Sequence, residues 1–255
     1  MARAELQQGF NGRVEEYQRA RPAYPDDAIR SLMGELALEP GRQVVDLGAG
    51  TGIFSRQLAE RGLLVTAVEP IAAMRSEMVG VSGLVACDAV AEHTGLPDGC
   101  ADAVVAATAW HWFDAPAAIT EVRRLLAPGA GGLGLVSNHY DVAVPWVAEY
   151  AGIADRWRPS TSPSGRLGRW RDFFNGLPGW EPLAERAFAN PWPTTAAGLM
   201  DRLLSSSAIA RLAEAEQKAA RAELDSLVRR HGLGGDTDLT LPYVTTICWT
   251  RPLRR

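Results

Sequence analysis

The stretch VVDLGAGTG, residues 44–52, decides the fold of this 255-residue chain. Its two valines have the β-branched side chains that favour a buried strand. Gly48, Gly50 and Gly52 then let the backbone turn tightly and approach a ligand closely, because glycine has no Cβ atom. A helix is predicted over about 53–61, and its N-terminus would direct free N–H groups towards whatever lies over the turn. A strand, a glycine-rich turn and a helix in this order are typical of the first βαβ unit of a nucleotide-binding α/β domain.

The spacing of the glycines distinguishes this turn from a dinucleotide-binding motif. That motif is G-x-G-x-x-G, whereas here the third glycine comes one residue early and Ile53 occupies the position that it would need. Asp46 lies two residues before the first glycine. A carboxylate pressed against the turn suits a ligand with a cationic group better than a pyrophosphate. The pattern therefore disfavours an NAD(P)-dependent oxidoreductase, and a glycine-rich turn without any ligand is the remaining alternative.

Three further buried strands are predicted over 64–68, 83–87 and 103–107, and each ends in acidic, polar or aromatic residues. Glu69 follows the first of them, about 20 positions after the glycine turn, where a carboxylate can accept two hydrogen bonds from a ribose cis-diol. An ordinary charge at a strand end is the alternative for Glu69. Asp88 follows the next strand. Parallel strands end at one edge of a sheet, so a ligand site is predicted at the carboxyl edge.

The order of elements predicts an α/β fold. We expect a Rossmann-like, doubly wound sheet of seven strands, with the last strand antiparallel over 239–251 and a helical cap insert. A helix is predicted over 26–38, before the sheet. The organisation that we predict is a single domain over 1–255, with an N-terminal lid at 1–24 and a cap insert at about 141–208.

Composition restricts the classes of partner and compartment. The net charge of −4 argues against nucleic acid as the main partner. No run of 18 or more apolar residues is present, so no membrane partner is expected. The three cysteines form no C-x-x-C pair, which fits a reducing cytoplasm and predicts neither a disulfide framework nor a metal site. The oligomeric state stays open at this point.

Three segments carry a resemblance to a known family. They are the leader YQRARPAYP at 17–25, the glycine motif at 46–52 and the segment AWHWFD at 109–114. Together they resemble the class I S-adenosylmethionine (SAM)-dependent methyltransferases of the type 11 subgroup, in the branch that includes trans-aconitate methyltransferase-like proteins. The predicted cap, about 141–208, has no counterpart in that pattern.

The resemblance implies SAM as the cofactor and suggests a role for each matching residue. An aspartate at the position of Asp88 meets the adenine amino group in such enzymes, and the backbone N–H of its neighbour, here Ala89, meets a ring nitrogen. Arg21 is expected to pair with the methionyl carboxylate as part of a lid, a surface helix being the alternative for the leader. The predicted cofactor-binding residues are Tyr17, Arg21, Asp46, Gly48, Ala49, Gly50, Glu69, Pro70, Asp88, Ala89 and Thr108.

The expected reaction is methyl transfer from SAM to an oxygen or nitrogen atom, less readily to sulfur or carbon, of a small and largely apolar molecule of the kind found in secondary metabolism. His111 and His139 are rival candidates for a general base, because a neutral imidazole is available near pH 7. His111 could instead be a ring packed between two tryptophans. The predicted substrate-binding residues are Tyr24, Trp110, Trp112 and Trp146.

Two alternatives remain open at this stage. The tryptophans could build a small core of the cap instead of lining a substrate site. The chain could also be a SAM-scaffold protein that transfers no methyl group, acting as a cyclase or as a binding module, because a fold does not determine a function.

Overall fold

The structure, a computed structural model, describes residues 21–157, 170–204, 209, 212–234 and 239–253. Its helices are α1 (Asp26–Glu35), α2 (Ile53–Ala59), α3 (Ala72–Arg75), α4 (Ala115–Leu125), α5 (Pro145–Arg156), α6 (Trp170–Phe174), α7 (Ala196–Leu204) and α8 (Glu214–Arg230). Its strands are β1 (Gln43–Leu47), β2 (Leu64–Val68), β3 (Leu84–Cys87), β4 (Ala103–Ala107), β5 (Gly132–Tyr140), β6 (Ala184–Thr194) and β7 (Leu239–Thr250). Short 3₁₀ helices lie at Ser76–Met78 and Trp110–Trp112.

Seven strands of the described chain form one sheet in the order β3-β2-β1-β4-β5-β7-β6. The pairs β1–β2, β2–β3, β1–β4 and β4–β5 are all parallel, and the last strand along the chain is antiparallel. The strand order reverses between β1 and β4, which is the point where doubly wound sheets bind ligands at their carboxyl edge. The predicted fold class, a Rossmann-like doubly wound sheet with an antiparallel last strand, is confirmed.

Successive residues of β1 pack on opposite faces of the sheet. Val44 belongs to a buried cluster with Ile29 of α1 and Leu58 of α2. Val45 belongs to a second cluster with Val122 of α4. Because side chains alternate along a strand, a valine pair can be buried on both sides only when helices cover both faces. The apolar run that opens the glycine motif is therefore explained by its central place in the sheet.

The helix α1 ends at Glu35, three residues before the predicted end. Ala37 takes a left-handed conformation with φ 52°. The N–H of Ala37 bonds to the carbonyl of Gly34, and the N–H of Leu38 bonds to that of Met33, at 3.2 and 2.8 Å. This pair of bonds is the Schellman ending of a helix, which usually has glycine at the left-handed position. The glycine that indicated the end of the helix is at position 41, not at position 37, so the sequence pattern predicted a longer helix.

The chain divides into two compact units. The sheet unit comprises Ala23–Ser137, Arg166–Phe188 and Thr245–Arg255, and the second unit comprises Met1–Pro22, Asn138–Gly165 and Ala189–Val244. The core of the second unit is formed by α5, α7 and α8, with Tyr150, Leu199 and Leu224 fully buried. The limits of the second unit differ from those of the predicted insert at 141–208. The range of the insert includes β6, which is a strand of the sheet, and it leaves out α8, which belongs to the second unit. No helix in the described ranges is long and apolar enough to cross a lipid bilayer.

Candidate functional site

The glycine turn joins β1 to α2, and its three glycines all have left-handed backbones. Their φ angles are 68° at Gly48, 60° at Gly50 and 81° at Gly52. The N–H groups of Gly48 and Ala49 both bond to the carbonyl of Val68, at 2.9 and 3.1 Å. These bonds tie the turn to the end of β2. The conformation needs glycine because other residues adopt this region only at an energetic cost.

The surroundings of the three glycines differ in a way that indicates where a ligand can lie. A Cβ atom on Gly48 would be 2.8 Å from the Cβ of Ala109, and one on Gly52 would be 2.5 Å from the Cγ of Met78. A Cβ atom on Gly50 would meet no atom of the described residues within 4 Å. Packing within the protein therefore accounts for the lack of a side chain at 48 and 52. The space beside Gly50 is open, as a ligand lying on the turn requires.

Glu69 holds the glycine turn from the end of β2. Its carboxylate accepts hydrogen bonds from the N–H of Gly50 at 2.9 Å and from the N–H of Ile71 at 2.8 Å. The side chain is 5% exposed. Burial raises the pKa of Glu69, while the two N–H donors and the charge of Arg75 oppose that rise. Each carboxylate oxygen retains a further lone pair, so the group can still accept bonds from ribose hydroxyls.

Arg75 connects two of the predicted acidic residues, and sequence reasoning did not single it out. Its guanidinium donates to the carbonyl of Glu69 at 2.8 Å and pairs with the carboxylate of Asp88 at 3.1 Å. Asp88 is exposed, and the half-buried Ala89 donates its N–H to the carbonyl of Cys87 at 3.2 Å. A basic residue six positions after a strand-end carboxylate was the available signal for Arg75, and it is a weak one.

Asp46 is the other carboxylate at the turn, and it is fully buried. The hydroxyl of Ser55 donates to its Oδ2 at 2.5 Å. Its Oδ1 has no hydrogen-bond partner among the residues that the structure describes, and the same holds for the buried hydroxyl of Thr51. Burial raises the pKa of Asp46 to about 7, the Ser55 hydrogen bond opposes the rise, and the charge of Glu69 adds to it. Orphaned buried polar atoms of this kind call for a partner such as a ligand or a water molecule.

The end of β4 carries a strained threonine. Thr108 has a φ of 52°, unusual for a residue with a branched side chain. Its hydroxyl shares a hydrogen bond of 2.9 Å with the hydroxyl of Tyr24. The side-chain amide of Gln57 on α2 bonds to both polar backbone groups of Tyr24. It accepts from the N–H at 3.1 Å and donates to the carbonyl at 2.8 Å. Tyr24 is buried, and its ring centroid lies 5.1 Å from that of Phe54. The predicted substrate-binding role of Tyr24 stays a prediction.

The aromatic segment after β4 contains one buried and three half-buried rings. Trp110 is 4% exposed and packs in the core, with its ring centroid 5.7 Å from that of Phe113 and 5.3 Å from that of Phe174. His111 and Trp112 are half-buried, with ring centroids 5.2 Å apart. Trp110 therefore packs in the core around the sheet, not in a core of the cap, and its substrate-binding role stays a prediction. His111 and Trp112 are thus partly accessible, as is Phe113.

Other predicted residues lie in the second unit or outside the described part of the chain. Arg21, His139 and Trp146 belong to the second unit, and all three are half-buried. Trp146 packs against the core of that unit. Asn138, which precedes His139, donates to the carbonyl of Pro22 at 3.1 Å. Tyr17 lies outside the described residues, and Pro70 is half-buried after Glu69.

The arrangement at the turn fits SAM. Open space beside Gly50 leaves room for a bound molecule. Two buried carboxylates, at Asp46 and Glu69, favour a ligand that carries positive charge, as SAM does at its sulfonium and ammonium groups. Among the described residues no group of three or more His, Cys, Asp or Glu could hold a metal ion.

Comparisons with known proteins agree with this geometry. A family model described as a methyltransferase domain matches residues 45–132. An uncharacterized methyltransferase of Mycobacterium tuberculosis is 44% identical over 156 residues, which are 61% of this chain and 62% of that protein. The chain thus spans somewhat less than two thirds of the length of this relative. A methyltransferase-like protein of Schizosaccharomyces pombe is 32% identical over 222 residues, 86% of both chains.

A solved structure from Anaeromyxobacter dehalogenans, a candidate type II methyltransferase, is 25% identical. It superposes with a TM-score of 0.69 and covers 92% of this chain and 99% of its own. The trans-aconitate branch stays a prediction. The sequence relatives, the shared sheet and the turn that fits the cofactor lead to one assignment: the chain belongs to the class I SAM-dependent methyltransferases, whose cofactor is S-adenosylmethionine.

Proposed function

We propose that this protein transfers the methyl group of SAM to an oxygen or nitrogen atom, less readily to sulfur or carbon, of a small and largely apolar molecule, in a reaction of secondary metabolism. The observation that carries the proposal is the glycine turn, where a Cβ atom on Gly50 would meet no described atom within 4 Å and where the carboxylates of Asp46 and Glu69 are buried. Membership of the methyltransferase family supports the reaction type.

The side chains at the turn would hold the cofactor. Glu69 is fixed by two backbone N–H donors, so its carboxylate is preorganised to accept ribose hydroxyls. Asp88 and Ala89 are proposed for the adenine. Asp46, whose Oδ1 has no partner among the described residues, is proposed for a cationic group. Bound SAM supplies an electrophilic methyl group on its sulfonium. The protein then has to orient an acceptor and exclude water, so much of the rate would come from positioning.

The acceptor side of the proposal depends on the residues that follow β4. His111 and Trp112 are half-buried there, which leaves part of each ring available to a bound molecule. His111 is proposed as the general base that takes the acceptor proton, with His139 at the end of β5 as its rival. The net charge of −4 supports a small molecule over nucleic acid. Cytoplasmic location also stays a prediction.

The test begins with binding. Isothermal titration calorimetry should give a saturable signal with SAM and with S-adenosylhomocysteine, and none with NAD. A screen of small apolar alcohols, phenols and amines should then yield S-adenosylhomocysteine with at least one acceptor. Absence of SAM binding would reject the cofactor site. Binding of SAM without turnover of any acceptor would favour the alternative, a SAM-scaffold protein acting as a cyclase or a binding module.

A further inference from the structure

The two oxygens of the Asp46 carboxyl group have different surroundings. Oδ2 accepts a hydrogen bond of 2.5 Å from the hydroxyl of Ser55 on α2. Oδ1 has no hydrogen-bond partner in the described part of the chain, and the side chain is 0% exposed. Ser55 is itself fully buried. Because the serine hydroxyl donates to Oδ2, a proton on this carboxyl group would be carried by Oδ1.

The elements packed around Asp46 provide little support for a negative charge. In the sheet, Asp46 is level with Ala67 of β2 and with Val105 of β4, and both are apolar. Ser55 is the uncharged polar group that faces it from α2. Glu69, at the end of β2, is the charged group that acts on Asp46, and its charge has the same sign. The positive charge of Arg75, which acts on Glu69, is held by the Glu69 carbonyl and by Asp88.

Burial and a like charge both disfavour the ionised form, and one hydrogen bond favours it. The balance raises the pKa of Asp46 to about 7. The free protein therefore carries a mixture of neutral and ionised Asp46 at neutral pH. A cation placed near the carboxyl group would shift that mixture to the ionised form, because an opposite charge lowers the pKa of an acid.

We propose that Asp46 releases a proton to the solvent when SAM binds, and that Ser55 is a positioning residue that holds Oδ2 and leaves Oδ1 for the ligand. This inference rests on the proposed cofactor site. Uptake of the cationic cofactor is thereby coupled to pH through the buried carboxyl group of Asp46. The O–H bond of the neutral acid breaks, its electron pair stays on Oδ1, and the proton passes to the buffer.

The coupling predicts a measurable pH profile. Below about pH 7, each unit by which the pH increases should raise the affinity for SAM by up to about tenfold, because each binding event must release one proton. At pH 7 about half a proton should be released per molecule bound, since about half of the free protein is protonated there. The amine of SAM titrates near this range as well. The wild-type protein must therefore be compared with a variant that lacks only the carboxyl group.

The experiment is isothermal titration calorimetry with SAM at pH 5.5–8, in pairs of buffers with different ionisation enthalpies, on the full chain. The Asp46→Asn variant keeps the shape but cannot release the proton, so its proton count should be lower by about 0.5 at pH 7. Ser55→Ala keeps every charge but loses the donor to Oδ2, so the midpoint of its pH profile should move to higher pH. Ser76→Ala, at an exposed serine that bonds to the Ala73 carbonyl, is the matched control and should behave as wild type.

The outcomes separate the two proposals. If wild type binds SAM and releases as many protons as Asp46→Asn does, the coupling is wrong and the cofactor site stands. If wild type binds no SAM at any pH, the proposed function fails, and the coupling fails with it. If Asp46→Asn folds poorly, the pH profile of SAM affinity in Ser55→Ala still tests the proposal. An unchanged midpoint in that profile would contradict the positioning role of Ser55. A ligand-free readout is the pH dependence of unfolding of wild type and Ser55→Ala, which should differ near pH 7 if Ser55 acts on the Asp46 pKa.

Discussion

Replacement of Gly50 gives the sharpest test of the cofactor site. Its φ is 60°, and no atom in the part of the chain that the structure describes lies within 4 Å of an added Cβ. Gly41 offers a matched control, because its φ is 88°, its added Cβ also meets nothing within 4 Å, and it precedes β1, at the opposite end of that strand. The two glycines thus have the same backbone class and the same free space, and differ in their distance from the proposed ligand.

Both alanine variants should lose a similar amount of stability. A left-handed backbone costs a residue with a side chain about 1–2 kcal/mol, and neither variant adds a clash within the protein. Binding should separate them. A methyl group at Gly50 would occupy space that the ligand needs, and overpacking costs about 1–3 kcal/mol, or roughly 5- to 150-fold in Kd. Gly41→Ala should keep the wild-type affinity for SAM, and the larger side chain of Gly50→Val should abolish measurable binding.

The assay combines two measurements on each variant. Chemical denaturation gives the free energy of unfolding, and isothermal titration calorimetry gives the Kd for SAM under conditions where both variants are folded. Equal Kd values for Gly50→Ala and Gly41→Ala would refute the placement of the cofactor on the turn. A loss of stability at Gly50 much larger than at Gly41 would show that the space beside Gly50 is not free.

Four further predictions concern single residues. Glu69→Ala should weaken SAM binding by roughly 1–3 kcal/mol, because the ribose loses an acceptor; calorimetry that shows no change contradicts this. If His111 or His139 is the base, its alanine variant should lower turnover by roughly 10²–10⁴-fold at unchanged SAM affinity, whereas full turnover in both variants would indicate catalysis by positioning alone. Ala37→Gly should stabilise the protein by about 0.5–1 kcal/mol in denaturant titrations, because glycine suits the left-handed helix ending. For Asp46, the folded pKa of about 7 lies above its ordinary value of 3.8, so the folded state binds more protons between these values. Its contribution to stability should be lost as the pH rises from 3.8 through about 7. Asp46→Asn should therefore become relatively more stable with rising pH, by about 3 kcal/mol between about pH 5 and pH 8 in urea titrations.

The sequence predicted the first four strands and the turn because the signals there are local. A β-branched pair followed by glycines restricts the backbone whatever surrounds it, and strand ends in a parallel sheet must share an edge. The end of α1 was missed because Ala37 adopts a conformation that its side chain disfavours, under constraints from the fold. The range of β6 was difficult to predict for another reason. Most residues of this strand are half-buried or exposed, so its apolar periodicity is weak.

The contacts of the candidate site were harder to predict than its residues. Asp46 and Glu69 were identified from their distance to the glycines. Their partners Ser55 and Arg75 were not, because a serine within a helix and an arginine on a surface look alike with or without a carboxylate nearby. Whether Trp110 is a core ring or a substrate wall also depends on tertiary packing. Its environment became apparent only from the rings of Phe113 and Phe174 around it.

The close approach of Gly48 to Ala109 limits how the segment after β4 can be re-engineered. Any side chain longer than a methyl group at 109 would push into the backbone of the glycine turn, and the ring of Phe113 lies against the same glycine, with 3.0 Å between its Cζ and an added Cβ. A library that randomises 108–114 to change the acceptor would therefore damage cofactor retention in most of its members. Holding 109 and 113 constant and varying the half-buried positions His111 and Trp112 separates the two properties. The turn and the segment must be treated in any such redesign as one packed unit with two adjustable side chains.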